Sequence, residues 1–151
     1  GSYNAGTFCT VSLTPDGSGT YDVSACINSV FTGGGPEGII YVPIGSPLFP
    51  NPSVLISEYS ANRVSAYEID ANGLPIPATR RDFITALTGA EGATIDPVTG
   101  DFLFSTFGGG NHVYAITGFL APPSTVPEPT SFVLGGIGLA GMVMLRRRRK
   151  A

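Results

Sequence analysis

The stretch "VLISEYSANRVSAYEI" (residues 54–69) decides the fold because it reads as two short β-strands joined by a turn. Its halves are rich in Val, Ile and Tyr, the residue types that favour strands. We predict strands over residues 53–59 and 63–69, and two more over residues 39–42 and 80–87. Turn signals separate these strands, so the stretch lies at the centre of a four-stranded antiparallel unit.

Parts of this unit recur along the chain. The segment "GPEGIIYVP" (residues 35–43) matches "GAEGATIDP" (residues 89–97) at an offset of 54. The central stretch resembles "FLFSTFGGGNHVYAI" (residues 102–116), with Asn62 and Asn111 at an offset of 49. Upstream, "TFCTVSLTPDG" (residues 7–17) aligns with residues 63–73. A four-stranded unit that recurs about every 50 residues is typical of a β-propeller blade.

The repeated unit resembles the blade of NHL and gluconolactonase-like propellers. Two short motifs carry the resemblance in the central unit: Pro36-Glu37-Gly38-Ile39 and Asn62-Arg63-Val64. Glu91-Gly92 and "DPVTGD" (residues 96–101) carry it again. The resemblance implies that the Glu-Gly turns lie near the innermost strand, at the mouth of a central channel. We expect an all-β fold over residues 1–120, a partial β-propeller of about two and a half four-stranded antiparallel blades.

The predicted strands are too few for a closed ring. Ten or eleven strands cannot close a propeller, which needs at least four blades. We therefore expect that further blades precede this sequence, which also begins without an initiator Met. The alternative is a self-standing curved stack of sheets with one blade face exposed.

The C-terminal stretch "VPEPTSFVLGGIGLAGMVMLRRRRK" (residues 126–150) predicts a membrane anchor. A Pro-rich linker (residues 121–129) precedes an uncharged run from Thr130 to Leu145, about 24 Å long as a helix. We predict that this run is a transmembrane helix and that residues 146–151 form a basic cytoplasmic tail, which places the body on the far side of the membrane. The alternative is a buried core helix followed by a solvated charged run.

This tail resembles the PEP-CTERM sorting signal of bacterial envelope proteins. The resemblance rests on a short motif, the apolar run and a final block of cations: Val126, Pro127, Glu128 and Pro129, then Arg146, Arg147, Arg148, Arg149 and Lys150. It implies export across the inner membrane, recognition by an exosortase-type membrane peptidase and removal of the helix. It also implies release or attachment at the cell surface or in the extracellular matrix, often alongside exopolysaccharide.

The charge distribution excludes nucleic acid as a partner of the body. Before Pro127 the sequence has ten acidic residues and only three bases, Arg63, Arg80 and Arg81. A surface with this balance offers no basic face to neutralise phosphates.

The only two cysteines, Cys9 and Cys26, flank the turn "DGSG" (residues 16–19). A hairpin centred on that turn would place them opposite each other, and a disulfide there would contribute about 3 kcal/mol. This register also places Leu13 opposite Asp22, whereas a one-residue slip would pair apolar residues and misalign the sulfur atoms. The alternative is a pair of small buried thiols.

Candidate chemistry is confined to carboxylates. The sole histidine, His112, fits a loop or packing role, and the sequence suggests no catalytic residue, metal centre or cofactor. Glu37 and Glu91 occupy equivalent repeat positions, so a closed ring would bring them to one channel mouth, where carboxylates can bind a divalent cation. The alternative is that each glutamate accepts hydrogen bonds from backbone donors at a tight turn.

These patterns favour a non-enzymatic exported protein with a propeller that serves as a binding or scaffold module. The alternative is a lactonase-like hydrolase, as the resemblance of the body implies, whose metal site would be completed by blades absent from this sequence. A third hypothesis is a permanently anchored membrane protein with an uncleaved tail.

Overall fold

The structure, a computed structural model, describes residues 2–119 and contains eleven β-strands. The strands are β1 (Thr7–Thr10), β2 (Leu13–Pro15), β3 (Tyr21–Val23), β4 (Ile27–Phe31), β5 (Pro36–Tyr41), β6 (Ser53–Glu58), β7 (Arg63–Glu68), β8 (Arg81–Ile84), β9 (Ala90–Ile95), β10 (Phe102–Thr106) and β11 (Val113–Ile116). Two 3₁₀ turns, Tyr59–Ala61 and Pro77–Thr79, precede β7 and β8. The predicted all-β fold of the body is confirmed for these residues.

Four predictions for the tail lie outside the described residues. They are the sorting motif, the linker 121–129, the transmembrane helix 130–145 and the basic tail 146–151. Within residues 2–119, no helix is long and apolar enough to cross a membrane.

The strands form four antiparallel sheets. The central sheet is a meander in the order β5-β6-β7-β8, and the third sheet has the order β11-β10-β9. β1 pairs with β4 to form the first sheet, and β2 pairs with β3 to form a separate two-stranded ribbon. The four strands predicted for the central unit are all present, although β8 ends early, before Ala86 takes a positive φ of 57°.

Two hydrophobic clusters cover the two faces of the central sheet, so that β6 is buried at every position. On one face, Leu55 and Val64 pack with Phe102 and Phe104 of the third sheet. On the other face, a second cluster joins the central and first sheets: Val54, Ile56, Tyr67, Phe8 and Val30. The three sheets therefore stack face to face, with the central sheet in the middle.

The register of the ribbon differs from the prediction. Leu13 pairs with Val23 rather than Asp22, because this one-residue slip places apolar residues opposite each other. An irregularity between Phe8 and Thr10 then shifts the register of β1 against β4. The structure joins Cys9 and Cys26 by a disulfide, with their Cα atoms 5.7 Å apart. A bulge-like shift thus accommodates both the apolar pairs and the disulfide.

Candidate functional site

One end of the sheet stack holds the two glutamates that were selected from the sequence, Glu37 and Glu91. Pro36 at the start of β5 pairs with Glu58 at the end of β6, and Glu58 pairs with Arg63 at the start of β7. In the third sheet, Ala90 at the start of β9 pairs with Thr106 at the end of β10. We call this the glutamate end, because Glu37 and Glu91 are the second residues of β5 and β9.

A close backbone contact aligns the two glutamates. A Cβ atom at Gly38 would lie 2.3 Å from the carbonyl oxygen of Glu91 and 2.5 Å from the backbone nitrogen of Ala93. Only glycine therefore fits between β5 and β9 at this level. Glu37 is exposed and Glu91 is half-buried. Among residues 2–119, no group of three or more His, Cys, Asp or Glu side chains is arranged to hold a metal ion.

A third carboxylate at this end, that of Glu58, is fully buried. Its Oε2 accepts a hydrogen bond from Nε of Arg63 at 2.6 Å, and its Oε1 accepts one from the hydroxyl of Tyr67 at 2.8 Å. These partners compensate for a charge that would be very costly to bury alone. A Cβ atom at Gly34 would lie 2.7 Å from the Glu58 side chain, so this glycine leaves room for the carboxylate.

The ion pair of Glu58 belongs to a short chain of charges. Arg63 also lies 3.8 Å from Oδ1 of Asp82, which in turn accepts a hydrogen bond from Arg80. Burial and the hydrogen bond to Glu58 raise the pKa of the Tyr67 hydroxyl well above its ordinary value, so Tyr67 stays protonated and donates. The arrangement ties β6, β7 and β8 together, and two of the three bases of the body are engaged in it.

The remaining base of the body, Arg81, is also engaged. Its guanidinium carbon lies 4.6 Å from the ring centroid of Phe49, and its Nη2 donates to the carbonyl oxygen of Leu48 at 3.0 Å. All three arginines before the tail thus have partners within the described residues.

Glu58 was not among the site residues predicted from the sequence. The available signal was its place at the end of an aliphatic strand, five residues before Arg63. In the third sheet Thr106 and His112 replace this pair, and the Thr106 hydroxyl accepts a hydrogen bond from the backbone nitrogen of His112 at 3.0 Å. The His112 ring packs edge-on against Tyr114, with the centroids 5.9 Å apart.

The turns at the glutamate end have similar backbone geometry in the central and third sheets. Asn62 and Asn111 both take a left-handed conformation, with φ of 53° and 54°. The backbone nitrogen of Tyr59 donates to the carbonyl of Gly35 at 3.0 Å, and that of Phe107 donates to Gly89 at 2.9 Å. The backbone of these two turns therefore has the same conformation and one equivalent hydrogen bond in both sheets.

Three aromatic side chains also lie at this end, and we call Tyr3, Tyr59 and Phe107 the aromatic row. The rings of Tyr3 and Tyr59 are 5.9 Å apart in an edge-to-face arrangement, and the Tyr3 hydroxyl accepts from Ser60 at 3.0 Å. Tyr59 and Phe107 each follow the second strand of their sheet, and Phe107 is 60% exposed. The glutamate end therefore offers aromatic rings, hydroxyl groups and carboxylates.

Comparison with known proteins identifies the C-terminal segment. Residues 125–149 match the family model described as the PEP-CTERM protein-sorting motif. The chain carries a PEP-CTERM sorting motif. The match covers the predicted Val126–Pro129 motif, the apolar run and four of the five cations of the tail. No curated protein and no solved structure matches the chain significantly, so the resemblance of the body to NHL and gluconolactonase-like propellers stays a prediction.

Proposed function

We propose that this chain is an exported bacterial envelope protein that an exosortase-type membrane peptidase sorts through residues 125–149. The observation that carries the proposal is the PEP-CTERM motif at those residues. In this proposal the apolar run 130–145 spans the inner membrane transiently, and the cations after it stay in the cytoplasm. The body then reaches the cell surface or the extracellular matrix.

The cysteines support an exported location. Disulfides persist in oxidising compartments such as the periplasm and the cell surface, and they are rare in the cytosol. The bond between Cys9 and Cys26 closes an exposed segment that has few other contacts, since every residue of β2 and β3 is exposed. A covalent cross-link stabilises such a segment, and it persists in a location where thiols are oxidised.

We propose that the body is a propeller-type binding or scaffold module. Two features of the described sheets support this architecture. The central sheet is a four-stranded meander, and its first strand, β5, lies against β9, the first strand of the next sheet. Blades of a propeller are meanders of this kind, arranged with their first strands around a channel.

We propose that the glutamate end contacts exopolysaccharide of the surface matrix. Aromatic rings can pack against the apolar faces of sugar rings, while carboxylates and hydroxyls accept or donate hydrogen bonds to sugar hydroxyls. The aromatic row and the exposed Glu37 supply these groups at the same end of the sheet stack. We propose a non-catalytic role for this end. A lactonase-like activity would instead appear as lactone hydrolysis that depends on a divalent cation and is lost in Glu37→Gln and Glu91→Gln.

The sorting proposal can be tested by localisation in the natural host. We expect the tagged wild-type protein at the cell surface, and we expect the double variant Pro127→Ala/Glu128→Ala to accumulate in the inner membrane. Ser124→Ala, just outside the matched residues, is the control and should behave as wild type. Surface delivery of the double variant at the wild-type level would refute the proposal.

A further inference from the structure

Among residues 2–119, the third sheet has no counterpart of the fourth strand of the central sheet. In the central sheet β8 pairs with β7, whereas β11, the counterpart of β7, pairs only with β10 in the described part of the chain. Val64 of β7 has no exposed surface, but the matched Val113 of β11 is 69% exposed. An edge strand presents backbone donors and acceptors that can pair with one more strand.

The outer face of the third sheet fits the side chains that such a strand would bring. An open groove of about 320 Å³ on this face is lined by Gly92, Ala93, Thr94, Leu103, Ser105 and Val113. None of these residues carries a charge. Leu103 matches Leu55 of the central sheet, which belongs to the cluster that Phe83 and Ile84 of β8 pack against. A counterpart of β8 would therefore place two apolar side chains over this groove.

The offset of the repeat indicates which residues could form this strand. From Asn62 and Asn111 onward, the two units correspond at an offset of 49. The same offset relates β8 (Arg81–Ile84) to residues 130–133, the start of the apolar run, without any insertion or deletion. Phe83 is then matched by Phe132, and Ile84 is matched by Val133. The segment thus has the aromatic and the β-branched residue of β8 at the same two positions.

The residues that follow this segment also match those that end β8. After β8, Ala86 and Gly89 take positive φ values of 57° and 68°. The matched residues are Gly135 and Gly138, and glycine adopts this left-handed conformation without strain. The tail therefore has suitable residues both for the strand and for the turn after it.

We propose that residues 130–133 add to the edge of β11 as the fourth strand of the third sheet, with Val133 opposite Val113. This register is that of Ile84 opposite Val64 in the central sheet. The added strand would satisfy the backbone groups at the edge of β11, and the side chains of Phe132 and Val133 would cover the groove. The start of the apolar run thus has a binding site on the body as well as in the membrane.

Docking of this strand and insertion of the tail into a membrane exclude each other. With residues 130–133 in the sheet, only residues 134–145 of the apolar run remain, which is about 18 Å of helix and too short for a hydrocarbon core of about 30 Å. The body therefore holds the tail until the membrane takes up the apolar run, and removal of the run opens the edge of β11 and the groove. This consequence rests on the sorting proposal, whereas the strand itself rests on the repeat.

A pair of cysteines in the full chain tests the register. The double variant Val113→Cys/Val133→Cys is oxidised mildly at low concentration in buffer without detergent, and linked peptides are identified by mass spectrometry. We expect a disulfide within one chain between positions 113 and 133, at a yield at least about tenfold above the control Val113→Cys/Ile137→Cys, because only opposite strand residues bring the two sulfur atoms within bonding distance. Equal yields of the two variants, or links between different chains only, would overturn the proposed strand.

A further substitution in the same chain tests the groove. Phe132→Ser removes the aromatic side chain that would cover the groove, and we expect it to lower the yield of the link by about tenfold. Leu139→Ser, which also removes a large apolar side chain from the run but lies beyond the strand, is the matched control and should leave the yield unchanged. An undiminished yield with Phe132→Ser would overturn the groove as the docking surface.

Lipid vesicles test the exclusion between the two sites. Phosphatidylcholine vesicles added before oxidation should reduce the link between positions 113 and 133 to the level of the Ile137→Cys control, because the apolar run then enters the bilayer. An unchanged yield would overturn the exclusion. Absence of the link without vesicles, together with normal surface delivery of the wild type, would reject the strand and leave the sorting proposal intact. A strong link together with failed delivery would reject sorting and leave the strand.

Discussion

At the scale of single residues, Glu58 shows how the interior holds a charge. The carboxylate is completely buried, but Arg63, which neutralises it, keeps a third of its side chain in solvent. The ion pair is therefore partly screened, and the hydrogen bond from Tyr67 supplies the second partner that a buried carboxylate requires. The three side chains lock the end of β6 to the start of β7.

Glu58→Gln tests this arrangement. The amide keeps the shape of the carboxylate but cannot neutralise Arg63. Its NH₂ group, a hydrogen-bond donor, would also face either Arg63 Nε or the Tyr67 hydroxyl, both of which donate in the wild-type protein. We expect a loss of about 1–3 kcal/mol in the free energy of unfolding, measured by denaturant titration. Glu37→Gln, at an exposed position, is the matched control and should change stability by less than about 0.5 kcal/mol. Equal stability of the two variants would contradict the role of Glu58.

Asp16 provides a residue-scale prediction for pH. The hydroxyl of Thr20 and the backbone and hydroxyl of Ser18 donate to its carboxylate and lower its pKa to about 2. The pKa is lower in the folded state than the ordinary 3.8, so this turn is stabilised above about pH 4 and loses that contribution as the pH falls toward 2. NMR titration should find this value, and Thr20→Val should raise it. An ordinary pKa in the wild-type protein would refute the proposed turn.

At the scale of elements, the ribbon of β2 and β3 depends on its disulfide. Every strand residue of the ribbon is exposed, and an isolated two-stranded ribbon has little stability of its own. The Cys9–Cys26 bond closes the ribbon at its base, where the register of β1 shifts against β4. The ribbon is thus held by a covalent bond instead of a core.

The double variant Cys9→Ser/Cys26→Ser should loosen the ribbon selectively. We expect a stability loss of about 3 kcal/mol in the chain-entropy model, together with faster amide exchange in β2 and β3. In both proteins, amide exchange in β6, which is buried on both faces, should be far slower than in the ribbon. Addition of reductant should reproduce the change in the wild type and leave the double variant unaffected. Unchanged exchange in β2 and β3 would show that the ribbon does not need the bond.

The strands of the repeat could be predicted from the sequence, but some of their details could not. β6 and β7 stand out because both faces are covered, which gives nearly continuous runs of strand-forming residues. The alternation of side chains indicated the apolar register of the ribbon, but it gave no sign of the irregularity between Phe8 and Thr10 that reconciles this register with the disulfide. Glu58 was missed because a carboxylate at a strand end looks the same in sequence whether it faces solvent or a buried arginine.

At the scale of the whole molecule, packing between sheets depends on a glycine. Gly38 allows β5 and β9 to approach, and the cluster around Phe102 and Phe104 then fills the space between the central and third sheets. At the equivalent Gly92, the space of a Cβ atom is taken by the hydroxyl of Ser105, which accepts a hydrogen bond from the Gly92 backbone nitrogen at 3.0 Å. One repeat position therefore permits close packing of two sheets in one case and a hydrogen bond within its own sheet in the other.

Gly38→Ala should separate the two sheets. The added methyl group overlaps backbone atoms, which cannot move aside as a flexible side chain can, so we expect a loss of about 1–3 kcal/mol in unfolding free energy. Ser29→Ala, exposed in β4, is the control and should remain near the wild type. Denaturant unfolding measures both variants, and wild-type stability of Gly38→Ala would contradict the packing described for β5 and β9.

The central claim is that the motif at residues 125–149 delivers this body to the cell surface and that the apolar run 130–145 and the cations after it are removed. The intact mass of the protein extracted from the surface of its natural host tests that claim most directly. We predict a chain that ends within or soon after residues 126–129, with the apolar run, Arg149 and Lys150 removed. A surface-extracted protein that retains Arg149 and Lys150, or a full-length protein found in the cytosol, would contradict it.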